Sequence, residues 1–430
     1  KREKMTLKEL DLKYIWHPCS QMKDYEKIPL IPIKKAQGVY VYDFDDKAYI
    51  DCISSWWVNI FGHCNEYINS KLKEQLNSLE HILLAGFSHE GIIRLSKRLC
   101  EILPSNFTKC FYADNGSSGI EVALKMAFQY HLNKGKKRTK FLALTNSYHG
   151  ETIGALSVGA VELYKDTYKD LLFEVLLSPV PKSENFEKEL KEFENLLKKE
   201  GQNIAAFILE PLVQCAGNMH FYSANFIDEA IKLCKKYEIL VIFDEVATGF
   251  GRTGTMFALE QCKNKPDLLC LSKAITGGYL PLCVVLSSDE IYNVFYDDYA
   301  SKKAFLHSHS YTGSALACAC ANAVLDIFEK EDIIVKNKIL STYIASKFEE
   351  LKSFDFLGNF RQCGMIYAFD ILKSKRDRAG LFVYEKALKK GLILRPLANT
   401  IYFMPPYVIK KDEIDYVVQS LKEIFKSESL

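Results

Sequence analysis

The run ILVIFDEVATGFGRTGTMF, residues 239–257, decides the fold. It opens as a short apolar strand, ends that strand in two acids, Asp244 and Glu245, and closes on Gly249-Phe250-Gly251-Arg252-Thr253-Gly254. The last piece spells a dinucleotide-binding G-x-G-x-x-G. Its context does not match. A dinucleotide loop reaches its first glycine within a residue or two of the strand, so that backbone N–H groups meet a pyrophosphate. Here two carboxylates and Val246-Ala247-Thr248 intervene. The stretch after the glycines is short and runs into Pro266 rather than opening a helix. A nicotinamide-dependent oxidoreductase is therefore the weaker reading, and the acids become the informative residues.

Outward from this run the pattern repeats. Apolar runs at 109–114, 140–145, 204–210, 268–272 and 282–287 alternate with amphipathic stretches. One of these carries Ile120, Ala123, Leu124, Ala127 and Phe128 at helical spacing, and another carries Phe226, Ala230, Ile231 and Cys234. Such alternation predicts an α/β fold with a parallel sheet covered on both faces. The stretch 38–52 alternates around an acidic turn and predicts an antiparallel hairpin. Beyond about residue 320 come charged amphipathic helices, then MIYAFDI (365–371) and TIYFMPP (400–406), read as strands of a smaller α+β unit. The lysine-rich 182–200 reads as a solvated helix face.

At 430 residues the chain can bury a large core. With 56 Lys+Arg against 54 Asp+Glu there is no global field to attract nucleic acid or an anionic membrane. The 13 cysteines are scattered without metal-ligand spacing, so those in apolar runs, Cys270, Cys283, Cys318 and Cys320, read as small buried hydrophobes. FLHSHSYTG (305–313) lacks a third ligand, and no metal site is expected. KREKMTLKELDLKY, at the start, has no apolar run of the secretory kind, and no segment is apolar enough to span a bilayer. A cytoplasmic protein is expected.

A carboxylate at the C-terminal end of a buried strand lies where α/β folds bind ligands, and Asp244 there suits a protonated heteroaromatic nitrogen. One strand later Lys273 leaves an apolar run into Gly277-Gly278, where burial favours a nucleophilic amine of the Schiff-base type. Asn115-Gly116-Ser117-Ser118 starts a helix after a strand, either as an anion site or as an ordinary serine N-cap. Tyr148 or His149, after the strand 140–145, could stack on a planar ring.

Together FDEVATGFGRTG and LSKAITGGYLPL, with Lys273 following Asp244 by 29 positions, resemble the class III, pyridoxal-phosphate-dependent aminotransferases of fold type I. IWHPCSQMKDY (15–25), SSWWVNIFGHCN (54–65), SYHGETIGALSVG (147–159), ILEPLVQCAGNM (208–219), FLHSHSYTGSALACA (305–319) and LILRPLANTIYFMPPY (392–407) extend the likeness nearly end to end. The resemblance implies a mostly parallel sheet in a large unit over 61–315, and a small α+β unit from 1–60 and 316–430. It implies a homodimer with active sites at the subunit interface, using pyridoxal 5'-phosphate. W-H-P and R-P…I-Y-F-M-P-P are similar to the branch that aminates 8-amino-7-oxononanoate in biotin biosynthesis, with S-adenosylmethionine as amino donor and lysine the alternative.

By the same likeness Lys273 binds the cofactor and moves the proton, Asp244 pairs with its ring nitrogen, and Tyr148 stacks on the ring. Gly116 and Ser117 hold the phosphate, Glu210 lies nearby, and His309 and Ser310 reach the neighbouring subunit's phosphate site. Trp56, Ser308, Cys19, Tyr402 and Arg395 border the substrate, Arg395 taking its carboxylate. Two positions depart from the family pattern. Cys19 stands where an aromatic residue is common, and His307-Ser308-His309-Ser310 stands for H-G-P-T. Both lie where two substrates take turns, which leaves the donor open.

Overall fold

The computed structural model describes residues 5–427; residues 1–4 and 428–430, which the sequence reading put at the two ends of a small domain, lie outside the described residues. Seven strands build the central sheet: β1 (Lys109–Ala113), β2 (Lys140–Leu144), β3 (Val175–Ser178), β4 (Ile204–Leu209), β5 (Leu240–Asp244), β6 (Leu268–Leu271) and β7 (Cys283–Ser287). Their order across the sheet is β3-β2-β4-β5-β6-β7-β1. Along β4, β5 and β6 successive side chains face opposite cores. Phe207, Leu209, Val241, Phe243, Leu269 and Leu271 enter one, and Ala206, Ile208, Leu240, Ile242, Leu268 and Cys270 the other. This two-sided burial is why the sequence reads as continuous apolar runs.

One strand departs from the parallel expectation. β7 runs antiparallel to both β6 and β1. The segment joining β6 to β7, residues 272–282, holds only a short 3₁₀ turn at Lys273–Thr276 and no crossover helix. A parallel return needs a crossover of about a dozen residues or more, usually helical. β3, a short and half-exposed edge strand, escaped the apolar pattern altogether. The long helix α1 (Gly116–Asn133) packs Ile120, Ala123, Leu124 and Ala127 on the second core, while Phe128 stays exposed.

The chain ends meet. Strands Ile33–Gln37, Tyr40–Asp43 and Ala48–Asp51 form the expected antiparallel hairpin with one extra edge strand, and Leu392–Ile393 adds to it in parallel, Leu392 opposite Ile50. Leu357–Cys363, Ile366–Ile371 and Thr400–Phe403 form a second, antiparallel sheet. The 182–200 stretch carries helix Glu187–Glu200, anchored by Phe193 and Leu197. Cys270, Cys283, Cys318 and Cys320 are buried free thiols.

The two acids that end β5 have different work. Glu245 is fully buried and accepts the N–H groups of Ala258 at 2.8 Å and Leu259 at 2.7 Å, tying down the 3₁₀ turn Ala258–Gln261. Burial pushes its carboxyl from 4.5 up to about 7. The folded chain thus keeps a proton that the unfolded chain sheds near pH 4.5, so stability is lost as pH rises from there towards 7. Replacing Glu245→Gln should remove roughly 3 kcal/mol of that decline, whatever constant cost the amide adds. Urea unfolding of both proteins at pH 5 and pH 8 measures it, and equal pH dependence in the two would refute the assignment.

Candidate active site

The parallel strands bring their C-terminal ends to one edge of the sheet, where a cavity of about 420 Å³ opens. Asp244 comes from the end of β5, Lys273 from just past β6, and Glu210 from just past β4. Tyr148 and His149 follow β2, and Asn115, Gly116 and Ser117 follow β1 at the start of α1. All eight line the cavity. Seven of these residues are singled out in the sequence by their places after apolar runs, and Glu210 through the family resemblance.

Asp244 is buried. Its Oδ2 lies 2.7 Å from His149 Nδ1, and its Oδ1 accepts the Val246 N–H at 3.0 Å. His149 is thereby fixed as the partner of the acid rather than a stacking ring, and its buried Nε2 has no hydrogen-bond partner. Tyr148 is half-buried: its ring meets Tyr164 edge-on at 5.4 Å, and its hydroxyl donates to Glu151 at 3.1 Å. Its backbone N–H donates to Glu210 at 2.9 Å, and Cys215 N–H donates to the same carboxylate at 3.1 Å. Burial and the nearby Asp244 push the Glu210 carboxyl above its ordinary range. Burial also pulls the Lys273 ammonium below its own, which favours the free amine.

In the same wall the N-cap of α1 is Asn115, whose side chain accepts from Ser118 N–H at 3.0 Å. The serine-cap alternative is thus excluded. A Cβ at Gly116 would fall 2.8 Å from Val246 Cγ1, so only glycine leaves the backbone this close to the wall. A helix start with small residues, a buried acid paired to an imidazole, and a buried amine on one cavity fit a phosphorylated pyridine aldehyde.

A second cavity of about 1160 Å³ adjoins the first and shares Trp57, Val58, Tyr148 and Lys273 with it. Its walls include Cys19, Tyr25, Trp56, Tyr164 and Arg395. The Arg395 guanidinium lies over the Trp56 ring at 5.2 Å and donates to the Cys19 carbonyl at 2.7 Å. Cys19 thus meets Arg395 through its backbone. Trp57, passed over in the sequence in favour of its neighbour, separates the two cavities, with Lys273 Nζ 4.4 Å from its ring centre. Tyr402 lines neither cavity; it is buried behind Trp57 and accepts the indole N–H at 3.1 Å. Ser308, His309 and Ser310 also line neither cavity of their own chain. His307 and His309 face each other at 3.1 Å, and no group of three metal-binding side chains occurs among the described residues.

The glycine-rich run that closes 239–257 is a turn, with Gly251 and Gly254 at φ 90° and 99°. Its Arg252 is fully buried and donates to the carbonyls of Trp57 at 3.3 Å, Asn59 at 3.1 Å and Pro405 at 2.9 Å. The Trp57 it reaches ends a run of left-handed residues, Ser54 to Trp57, each costing about 1 kcal/mol or more for a non-glycine side chain.

Comparison with known proteins agrees with this geometry. Residues 21–425 match the family described as aminotransferase class-III. The adenosylmethionine-8-amino-7-oxononanoate aminotransferase of Helicobacter pylori is 58% identical over 97% of this chain and 97% of its own. The crystal structure of the enzyme of that name from Methanocaldococcus jannaschii superposes with a TM-score of 0.94 at 37% identity, covering 99% of both chains. An amine transaminase from an uncultivated Pseudomonas species, in its PLP-bound form, gives 0.89 at 29% identity over 96% of this chain and 98% of its own. No helix among the described residues is long and apolar enough to cross a membrane. With matched family residues spanning nearly its whole length and an acid, an amine and a helix start converging on one cavity, the chain belongs to the class-III aminotransferases.

Proposed function

We propose that the protein transaminates 8-amino-7-oxononanoate to 7,8-diaminononanoate, a step of biotin biosynthesis, with S-adenosylmethionine as amino donor and pyridoxal 5'-phosphate as cofactor. The observation that carries this is the convergence of Lys273 and Asp244 from neighbouring strands on a cavity also lined by the start of α1. The name of the Helicobacter pylori relative, at 58% identity, supports the substrates.

The bound cofactor supplies an electron sink for the carbanion formed at the amine-bearing carbon. Asp244 would hold its pyridine N–H, and the His149 bond keeps that carboxylate aimed. Gly116 and Ser117, in the first turn of α1, would hold its phosphate, where the helix dipole favours an anion. Lys273 would bind its aldehyde. Once displaced by the donor amine, Lys273 is kept as the free amine by burial. Its Nζ would then move the proton off the donor's amine-bearing carbon and on to the cofactor in the first half of a ping-pong cycle, and would carry one the opposite way to the acceptor carbon in the second. Tyr148 and Trp57 bound the slot and exclude water. Arg395, in the larger cavity, would take the keto acid carboxylate with its planar fork.

The small unit, 1–60 and 316–430, closes over the large one, 61–315, from the side that carries Trp56, Trp57 and Arg395. Ser308, His309 and Ser310 serve the site of a second copy of the chain. Exposed Tyr299, Leu306 and Tyr311 around that loop support a homodimer.

The donor is tested by a half-reaction. Cofactor-loaded protein should absorb near ~420 nm and lose that band with S-adenosylmethionine but not with lysine. Bleaching by lysine alone overturns the donor, and a protein that never colours overturns the cofactor. Exchanging Asp244→Asn should slow both half-reactions by ~10²–10³ while the cofactor stays bound, as rapid-mixing absorbance reads. Changing Arg395→Met should raise KM for the keto acid about 100-fold and leave the donor half-reaction within a few-fold.

A further inference from the structure

Four consecutive non-glycine residues, Ser54, Ser55, Trp56 and Trp57, sit at φ 53°, 47°, 71° and 74°. L-residues visit this left-handed region singly; a run of four persists only where the surroundings over-determine it. The bonds that do so are visible. The Asp51 carboxylate, wholly buried, accepts Ser55 N–H at 2.9 Å and Ile53 N–H at 3.4 Å on Oδ1, and Ser55 Oγ–H at 2.7 Å on Oδ2. His63 Nε2 lies 2.9 Å from the same Oδ2. Ser54 Oγ donates to Met404 O at 2.7 Å, and Trp57 O accepts from Arg252. Burial alone would raise the Asp51 carboxyl, yet the His63 and Ser55 bonds hold it below its ordinary value.

The handedness of this turn sets where two adjacent indoles go. Trp57 walls both cavities over Lys273 Nζ, and Trp56 enters only the larger one beneath Arg395. Asp51 and His63 line neither cavity. We propose that Asp51, held by His63, is a positioning residue for transamination: it stabilises the left-handed turn Ser54–Trp57 and so sets Trp57 against the reacting lysine and Trp56 against the carboxylate-binding arginine. The proposal rests on the aminotransferase reading of the site.

The test uses tryptophan emission together with kinetics, in the cofactor-loaded protein. Of the three tryptophans, Trp16 is exposed, so a Trp16→Phe background leaves Trp56 and Trp57 as the reporters. Asp51→Asn should about double their quenching by acrylamide and raise KM for the keto acid about tenfold, with kcat changed only a few-fold. Adding Ser55→Gly, which tolerates positive φ, should recover most of both effects. Unchanged quenching and KM in Asp51→Asn overturn the proposal. Losses that Ser55→Gly does not recover overturn it too, because Asp51 would then act on the fold at large. If Asp51→Asn fails to fold, His63→Gln and Ser55→Ala each weaken one bond to the carboxylate and decide by the same two readouts. Emission needs no turnover. A turn-dependent quenching change in a protein inactive with both substrates would support the turn and overturn the activity.

Discussion

The guanidinium of Arg252 is the point on which the parts of this structure are hung. It is fully buried, and its bonds go to three backbone carbonyls: Trp57 and Asn59 near one end of the chain, and Pro405 near the other. Burying a cation is costly unless its donors are satisfied, and here Nη1 and Nη2 are satisfied while the buried Nε has no partner. These carbonyls offset that cost only while the N-terminal turn and the C-terminal strand stay docked on the sheet. Tyr407 closes the arrangement, its ring 5.1 Å below the guanidinium and its hydroxyl donating to Phe250 O at 2.6 Å. The glycines around Arg252 are then needed for a turn tight enough to bring that side chain inward, and the likeness to a dinucleotide loop is one of letters.

With the two ends pinned, the site becomes a problem of buried charge. Asp244, Glu210 and Glu245 lie within one apolar interior and differ in what faces them. Asp244 has an imidazole, Glu245 has two backbone N–H groups of a local turn, and Glu210 has two N–H groups but a neighbouring acid. Glu210 is driven towards its protonated form and Lys273 towards its free amine, so the cavity resists holding extra charge of either sign. That leaves Asp244, the acid whose carboxylate is aimed by an imidazole, as the one whose geometry suits the role proposed for it.

The residues legible in the sequence are those whose position follows from a strand end. Asp244, Lys273, Gly116 and Tyr148 all sit at such ends, and an apolar run announces each one. What could not be read depends on partners far apart in the chain. His149 reaches Asp244 across 95 positions, and Trp57 is placed by Arg252, Tyr402 and Lys273, with Asp51 acting on its turn through Ser55. Nothing in Ser-Ser-Trp-Trp signals positive φ, since glycine and asparagine are absent from it. The direction of β7 could have been read from its short connection, and the pattern of apolar runs alone hid it.

The two cavities share Lys273, Tyr148, Val58 and Trp57, so a ligand in either must present its reacting atom at the same place. This geometry suits two dissimilar substrates that arrive in turn. The larger cavity tolerates different bodies, while one lysine and one indole fix the reacting end. Arg395, proposed to take the substrate carboxylate, is clasped to the Cys19 carbonyl and lies over Trp56, so its setting depends on the N-terminal segment 15–28. Asp24 holds that segment from the other side through a two-pronged pair with Arg378 at 2.9 and 2.8 Å. On the role proposed for Arg395, selectivity would therefore depend on how the segment 15–28 is tied down, as well as on which side chain stands at position 19.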